Sequence, residues 1–330
     1  MMLLTQYSHI PADQWDALVE NSPVASWFQT REAYLFFDSQ NFMEAFVVAV
    51  ADGNRLLGLT TGYIQADGGW LKRQLTRRAI IVGGPLLADN ITDAQLATML
   101  NAMRNTIRRH CIYIETRNLN DYSRWRGCFE KCGFKYAPHC NFHIDTTDAV
   151  MVDKRMDKSR RRRIRRAFEH GAHISNDIKY LPDFYSILSS LYNKKIHKPL
   201  PSLTMFEQLA DKPYARYFFV LDEKDNAIGG QLILTLGQRV AYAWYCCGLD
   251  KEYHDLYPSI MANYAAIRYA ADKGFMRYDM MGAGSPDEDY GVRDFKAQFG
   301  GTLVEHGRFL HVYKHLVYKA GKFFIKHLTK

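Results

Sequence analysis

The apolar and polar positions of the chain fall into two periods, and the same order of periods occurs twice. From 45 to 65, AFVVAVADGNRLLGLTTGYIQ is an apolar run, a polar break at Asp-Gly-Asn and a second apolar run. That pattern predicts a strand, a tight turn and a second strand. From 217 to 236, YFFVLDEKDNAIGGQLILTL repeats it, with Phe46 and Phe219 in the first strands and Gly58 and Gly230 entering the second. Further on, MLNAMRNTIRRHCIYIET and IMANYAAIRYAADKGFMRYDMM each place apolar residues at helical spacing and then turn to a strand that ends on an acid, Glu115 or Asp279. A short helical segment follows each, FEKCGF (129–134) and FKAQFGG (295–301). Hairpin, helix, strand and short helix recurring in order predict a duplicated α/β unit.

The second short helix carries charge as well as apolar residues. Phe295 and Phe299 share one face at i, i+4, Arg293 and Lys296 share another at i, i+3, and Gly300-Gly301 stops the helix. On these residues alone it is an amphipathic helix with solvated charges. Residues 155–171 also read as one helix: Ile164, Ala167 and Phe168 gather on one face, and Arg155, Lys158, Arg162, Arg165 and Arg166 gather opposite. Five like charges on one face repel each other and favour a polyanion nearby, although a solvated helix flank has the same pattern.

At 330 residues, 47% hydrophobic and 24% charged, the chain has the make-up of a soluble globular protein of two domains, expected at 1–150 and 151–330. The net charge of +8 is local: residues 151–170 hold nine Lys/Arg against three acids, and residues 311–330 hold five lysines and no acid. A field so concentrated points to phosphates, nucleic acid or an acidic membrane surface. No signal peptide and no bilayer-spanning run is apparent, and the six cysteines read as reduced thiols of a cytoplasmic protein.

The duplicated unit resembles the GNAT acyltransferase fold, whose short F-x-K-x-G-F helix motif FEKCGF matches. Two such units in tandem, with KSRRRRIRRAFEHGAHI opening the second and YDMMGAGSPDEDYGVRDFKAQFGG closing it, resemble the Fem family of peptidoglycan aminoacyltransferases. The resemblance runs from about Phe28 to Gly301. It implies two tandem GNAT-like domains with mixed α/β sheets, and transfer of an amino acid from aminoacyl-tRNA to an amine of a peptidoglycan precursor, soluble or lipid-linked, with no metal or other cofactor. It implies that Lys296, beside Phe295, stabilises the oxyanion formed as the amine attacks the aminoacyl ester. The family's first-domain acid, near the acceptor, falls on Glu115, a catalytic candidate to orient or deprotonate the incoming amine, here followed by Thr116 where the family has proline. Arg293 either assists or pairs with Asp289. Tyr257, at the head of YPSIMANY, joins the basic residues as a substrate-binding candidate. Asp279 reads as a helix cap.

The family also has a lysine eight residues beyond a Gln-Ser or Gln-Thr pair, thought to hold phosphates. Here Gln29-Thr30 is followed at that distance by Phe37, so Arg31 or another basic residue substitutes, or the acceptor differs. If the acceptor is lipid-linked, Lys319, Lys322, Lys326 and Lys330 beside Phe323, Phe324 and Ile325 suit a weak anchor at the inner membrane surface.

Other constellations do not hold. In HCNFH (139–143) the histidines sit in a strand roughly 13 Å apart, too far to share a metal. Gly282-Ala283-Gly284 is followed by acids that repel a pyrophosphate. Cys128 and Cys132 read as packing thiols. The strand-to-helix junctions IIVGGPLLADNITDAQL and CCGLDKEYHDLYPSIMANY both lack the glycine pattern that grips coenzyme A. An acyl-CoA-dependent N-acyltransferase is the alternative, and a noncatalytic RNA-binding protein a more distant one.

Overall fold

A computed structural model of the chain describes residues 1–66 and 75–328, with side chains as far as Gly321. Of the tail residues named above, only Lys319 has a described side chain; Lys330 and the others lie outside. In chain order the strands are β1 (Met2–Leu4), β2 (Met43–Asp52), β3 (Arg55–Gln65), β4 (Arg78–Gly83), β5 (Leu86–Leu87), β6 (Tyr113–Asn118), β7 (Lys135–Ala137), β8 (Cys140–Asp145), β9 (His173–Ser175), β10 (Ala215–Leu221), β11 (Ala227–Leu236), β12 (Val240–Gly248), β13 (Arg277–Gly282), β14 (Thr302–Glu305) and β15 (Arg308–Val312). The helices are α1 (Ala12–Asn21), α2 (Arg31–Asp38), α3 (Asp93–Ile107), α4 (Arg126–Lys131), α5 (Ala149–Arg155), α6 (Lys158–Glu169), α7 (Leu181–Leu191), α8 (Leu203–Glu207), α9 (Pro258–Asp272), α10 (Gly291–Ala297) and α11 (His315–Leu328). Among the described residues, no helix is long and apolar enough to cross a membrane.

The chain forms two units, one of Met1–His139 with Glu305 onward, the other of Cys140–Val304. In the first, a mixed sheet runs β1-β2-β3-β4-β6-β15-β7, with β5 beside β3. The β2–β3 hairpin turns at Gly53 with φ +53°, and β4 and β6 are parallel, joined through α3. Helix α3 starts from a capping box of Thr92 and Gln95 and buries Leu96, Met99, Leu100, Met103 and Ile107 on one stripe. A Cβ on Gly58 would stand 2.9 Å from Ile91 Cδ1, under the loop that leads into α3, so the glycine permits that approach.

The second unit repeats the plan as β14-β8-β13-β12-β11-β10-β9, with the hairpin β10–β11, the parallel pair β12–β13 and α9 as the crossover. Toward the crossover, Gly229 does here what Gly58 does in the first unit, its Cβ standing 3.0 Å from Pro258 Cβ at the start of α9, while a Cβ on Gly230 would meet the Phe218 carbonyl at 2.7 Å and the Phe184 ring at 2.9 Å. The repeat read from the sequence is therefore present as a fold, α/β with two mixed sheets.

The division differs from an expected break at 150. β8 follows β7 in sequence yet pairs antiparallel with β13, and β15 follows β14 yet pairs antiparallel with both β6 and β7. Each sheet thus takes one strand from the far side of the chain break. The apolar residues of each strand follow the pairing: Cys140, Phe142 and Ile144 of β8 enter the second core, while Phe309 of β15 is fully buried in the first and stacks on Phe129 at 3.9 Å.

The basic segment also differs from expectation. It is not one helix over 155–171, because buried Met156 is extended and Asp157 caps a new helix, its carboxylate accepting from Ser159 N at 2.7 Å. Arg155 therefore ends α5, off the α6 stripe. Phe168, on the apolar face with Ile164 and Ala167, is 46% exposed and meets the Tyr264 ring edge-on.

Replacing Phe309 with alanine is expected to cost the first unit about 3–5 kcal/mol. Hydrogen exchange should then quicken along β6 and leave β12 protected. Unchanged protection at 113–118 would show that β15 does not hold that sheet.

Candidate active site

The strand β13 ends in a feature that a regular strand cannot make. Lys296 Nζ donates to three successive carbonyls, Met280 O at 2.5 Å, Met281 O at 3.1 Å and Gly282 O at 2.9 Å. Successive carbonyls of a strand point to opposite sides. Here Met281 has φ +57°, in the left-handed region, and the strand turns so that all three converge. Asp279, with no exposed surface, supports the turn: its Oδ1 accepts from Met281 N and from Asn141 Nδ2, both at 2.8 Å, and His143 Nε2 lies 3.2 Å from Oδ2. Burial alone would raise the Asp279 carboxyl, but His143 and Asn141 carry it below its usual range. So Asp279 is a buried anchor, where the sequence suggested a helix cap.

Burial pushes the Lys296 ammonium down to about 8, with Asp279 pulling the other way. The adjacent Cys246 thiol is pushed up to about 12 by burial and accepts from Asn263 Nδ2 at 3.3 Å, so it stays protonated.

Helix α10, which carries Lys296, is held by a residue that the charge pattern hides. Arg160 is 1% exposed. It lies on the inner face of α6 with Ile164 and Ala167. Its Nη2 donates to Phe295 O at 2.9 Å, and its guanidinium stands 4.5 Å from the ring centroids of both Phe295 and Phe299. Burial, then repulsion from Arg163, lowers Arg160 to about 10. The α5–α6 junction completes the seat: Asp157 N donates to Gln298 O at 3.0 Å, and a Cβ on Gly300 would lie 2.4 Å from Arg155 O. Arg160 sits four residues before Ile164, and that spacing is the signal that could have found it.

The other candidates are placed as follows. Arg293 donates to Ser285 O at 2.5 Å and to Glu288 O, closing the loop before α10 instead of pairing with the Asp289 carboxylate. Arg155 pairs with Asp145 at 3.1 Å, Arg165 with Glu169 at 3.7 Å and Arg166 with Asp255 at 2.8 Å. Lys158 and Arg162 are exposed on α6. Tyr257 has φ +45° at the head of α9, with Arg163 5.8 Å above its ring. At that helix start Asp250 accepts from Ser259 N at 2.9 Å and Ser259 Oγ at 2.5 Å, so a carboxylate already occupies the Ser259 amide.

Glu115 belongs to the first unit and is not brought beside Lys296 within either one. Its Oε1 accepts from Arg117 Nε at 2.8 Å and Arg308 Nη1 at 2.9 Å. Burial would raise its carboxyl, but the two arginines carry it below the usual range, which makes it a weak base. Arg31 is held by Asp16 through two bonds of 2.8 and 2.6 Å. The HCNFH segment is divided between the units, His139 bonding Arg308 and His143 facing Asp279. Among the described residues no cluster of three His, Cys, Asp or Glu could hold a metal.

Residues 218–326 match the model of the FemAB family. The fold is that of FemX, with a TM-score of 0.71 at 14% identity over 97% of this chain and 99% of that one. It is also similar to L-PGS from Bacillus licheniformis, with a TM-score of 0.57 at 12% identity over 92% of each chain. A tandem GNAT protein from the clavulanic acid biosynthesis pathway gives 0.56 at 10% identity over 94% and 99%. No curated protein sequence matches. The FemAB match thus covers residues 218–326, and the fold shared with FemX extends along nearly the whole chain.

Proposed function

We propose that the protein is a Fem-type aminoacyltransferase, moving an amino acid from an aminoacyl-tRNA to an amine of a peptidoglycan precursor. The observation that carries this reading is the fixed, half-buried ammonium of Lys296 at the end of β13. In the reaction the acceptor amine forms a bond to the ester carbonyl carbon, the carbonyl oxygen becomes an oxyanion, and the ester C–O bond breaks. The proton lost by the amine goes to the departing ribose oxygen. All three N–H groups of Lys296 are already donated, so what it offers the oxyanion is its charge, which its partial burial leaves less screened than in open water. Phe295 and Arg160 seat the helix that carries that charge. The exposed cations of α6, Lys158 and Arg162 with Arg165 and Arg166, form the surface for the tRNA phosphates.

A lysine lowered to about 8 is fully charged well below that pH and loses its charge as pH rises through it. Transfer is therefore expected to fall on the alkaline side with a midpoint near pH 8. In K296M the rate should drop by roughly 10²–10³, the cost of losing one oxyanion stabiliser, and the residual rate should show no such limb. Activity within twofold of wild type would remove Lys296 from the mechanism.

On the α6 surface, replacing Arg162, Arg165 and Arg166 with glutamine leaves Ile164 and Arg160 untouched. The variant should keep its fold, while the slope of log K for tRNA against log salt falls by roughly 0.7–0.9 for each phosphate no longer neutralised. An unchanged slope would make the stripe a solvated flank.

An acyl-CoA donor is disfavoured by Asp250, whose carboxylate sits on the Ser259 amide at the start of α9, where a pyrophosphate would bind. Calorimetry should detect no saturable acetyl-CoA binding at micromolar concentration. Such binding would favour the alternative.

A further inference from the structure

One face of the first sheet carries more positive charge than its own carboxylate balances. Glu115 and Arg117 are two apart on β6 and so project to the same side. β15 runs antiparallel beside β6 with Leu310 opposite Glu115, and continuing that register sets Arg308 opposite Arg117. Like charges directly across a strand pair repel. Glu115 Oε1 lies between the two guanidinium groups and accepts from both, at 2.8 and 2.9 Å. His139 is no counter-ion: Arg308 Nη2 donates to its Nε2 at 2.8 Å, and a ring nitrogen that accepts belongs to a neutral imidazole. The cluster of Arg117, Arg308, Glu115 and His139 therefore holds two cations and one anion.

Among the described residues, its donors are also incompletely used. Arg117 spends only Nε on Glu115, and 41% of its side chain is accessible to solvent. Arg308 is 28% accessible, and its Nε is buried without a hydrogen-bond partner. Burial, with repulsion from Arg117, holds Arg308 below the ordinary arginine value. The terminal nitrogens of Arg117 form the planar fork that matches two oxygens of a carboxylate or phosphate.

We propose that the first unit contains an oxyanion-binding site in which Arg117 provides the fork, Arg308 adds the second positive charge, and Glu115 holds both arginines in place. The ligand is a phosphate or carboxylate group, whose charge balances the cluster. Glu115 acts here as a positioning residue, not as a base. This assignment goes beyond the aminoacyl-transfer reading and does not depend on it, since binding is measured without turnover.

The test is calorimetric titration with inorganic pyrophosphate and, separately, with succinate. It is done in the R162Q/R165Q/R166Q background so that the α6 surface does not contribute. At least one probe should bind saturably at one site; tighter pyrophosphate binding assigns the site to phosphates, and tighter succinate binding to carboxylates. Adding R117Q should weaken binding at least tenfold, whereas adding E115Q, which removes the competing negative charge, should tighten it. R117K keeps the charge beside Glu115 but loses the fork, and should weaken binding at a native melting temperature even if R117Q does not fold. No saturable binding of either probe would overturn the proposal. So would R117K and E115Q variants that bind as the background does, because a purely structural cluster alters melting without shifting anion affinity in opposite directions.

Discussion

The ammonium of Lys296 gathers the carbonyls of residues 280, 281 and 282, and the local architecture follows from that convergence. For three consecutive carbonyls to face one point, the strand must leave extended geometry, and it does so at Met281 in the left-handed region. A non-glycine residue held there costs of order 1–3 kcal/mol and persists only where its surroundings enforce it. Here the enforcement comes from both sides of the turn. Asp279 binds the Met281 amide from within the sheet, and Lys296 binds the carbonyls from α10. Helix α10 is in turn seated by Arg160 between two phenylalanine rings and by the close approach of Gly300 to Arg155. A charge placed this rigidly has little freedom to reorganise during reaction, which is the condition for strong electrostatic stabilisation of a transition state.

Part of this was legible in the residues. The facing Phe295 and Phe299, the helix stop at Gly300 and the repeated hairpin-helix-strand order all follow from local periodicity and are present in the fold. Arg160 was not legible by the same logic. A run of arginines at 160–163 reads as solvent-facing, and only its spacing to Ile164 and Ala167 distinguishes the one that turns inward. The break at Met156–Asp157 is an N-cap signal masked by a continuous basic stripe. Phe168 shows the reverse, a residue placed on the apolar face by period and left largely exposed.

The strand exchange lay further from reach. β8 and β15 each alternate as a half-buried strand should, and either sheet could accept such a pattern. Which sheet it joins depends on partners more than 100 residues away, which no window of local sequence contains. The consequence for chemistry is direct. Arg308, remote in sequence from Glu115, becomes its ion-pair partner and changes a candidate base into a clamped carboxylate. The charge excess beside it is a property of the pairing, not of either segment.

Aminoacyl transfer from tRNA to an amine is tested most directly by offering the purified protein a panel of charged tRNAs and acyl-CoA thioesters with a muropeptide acceptor, and following product mass. The expected product is an acceptor heavier by one amino-acid residue, formed only with a charged tRNA. A mass gain from an acyl-CoA, with none from any charged tRNA, would contradict the proposed reaction.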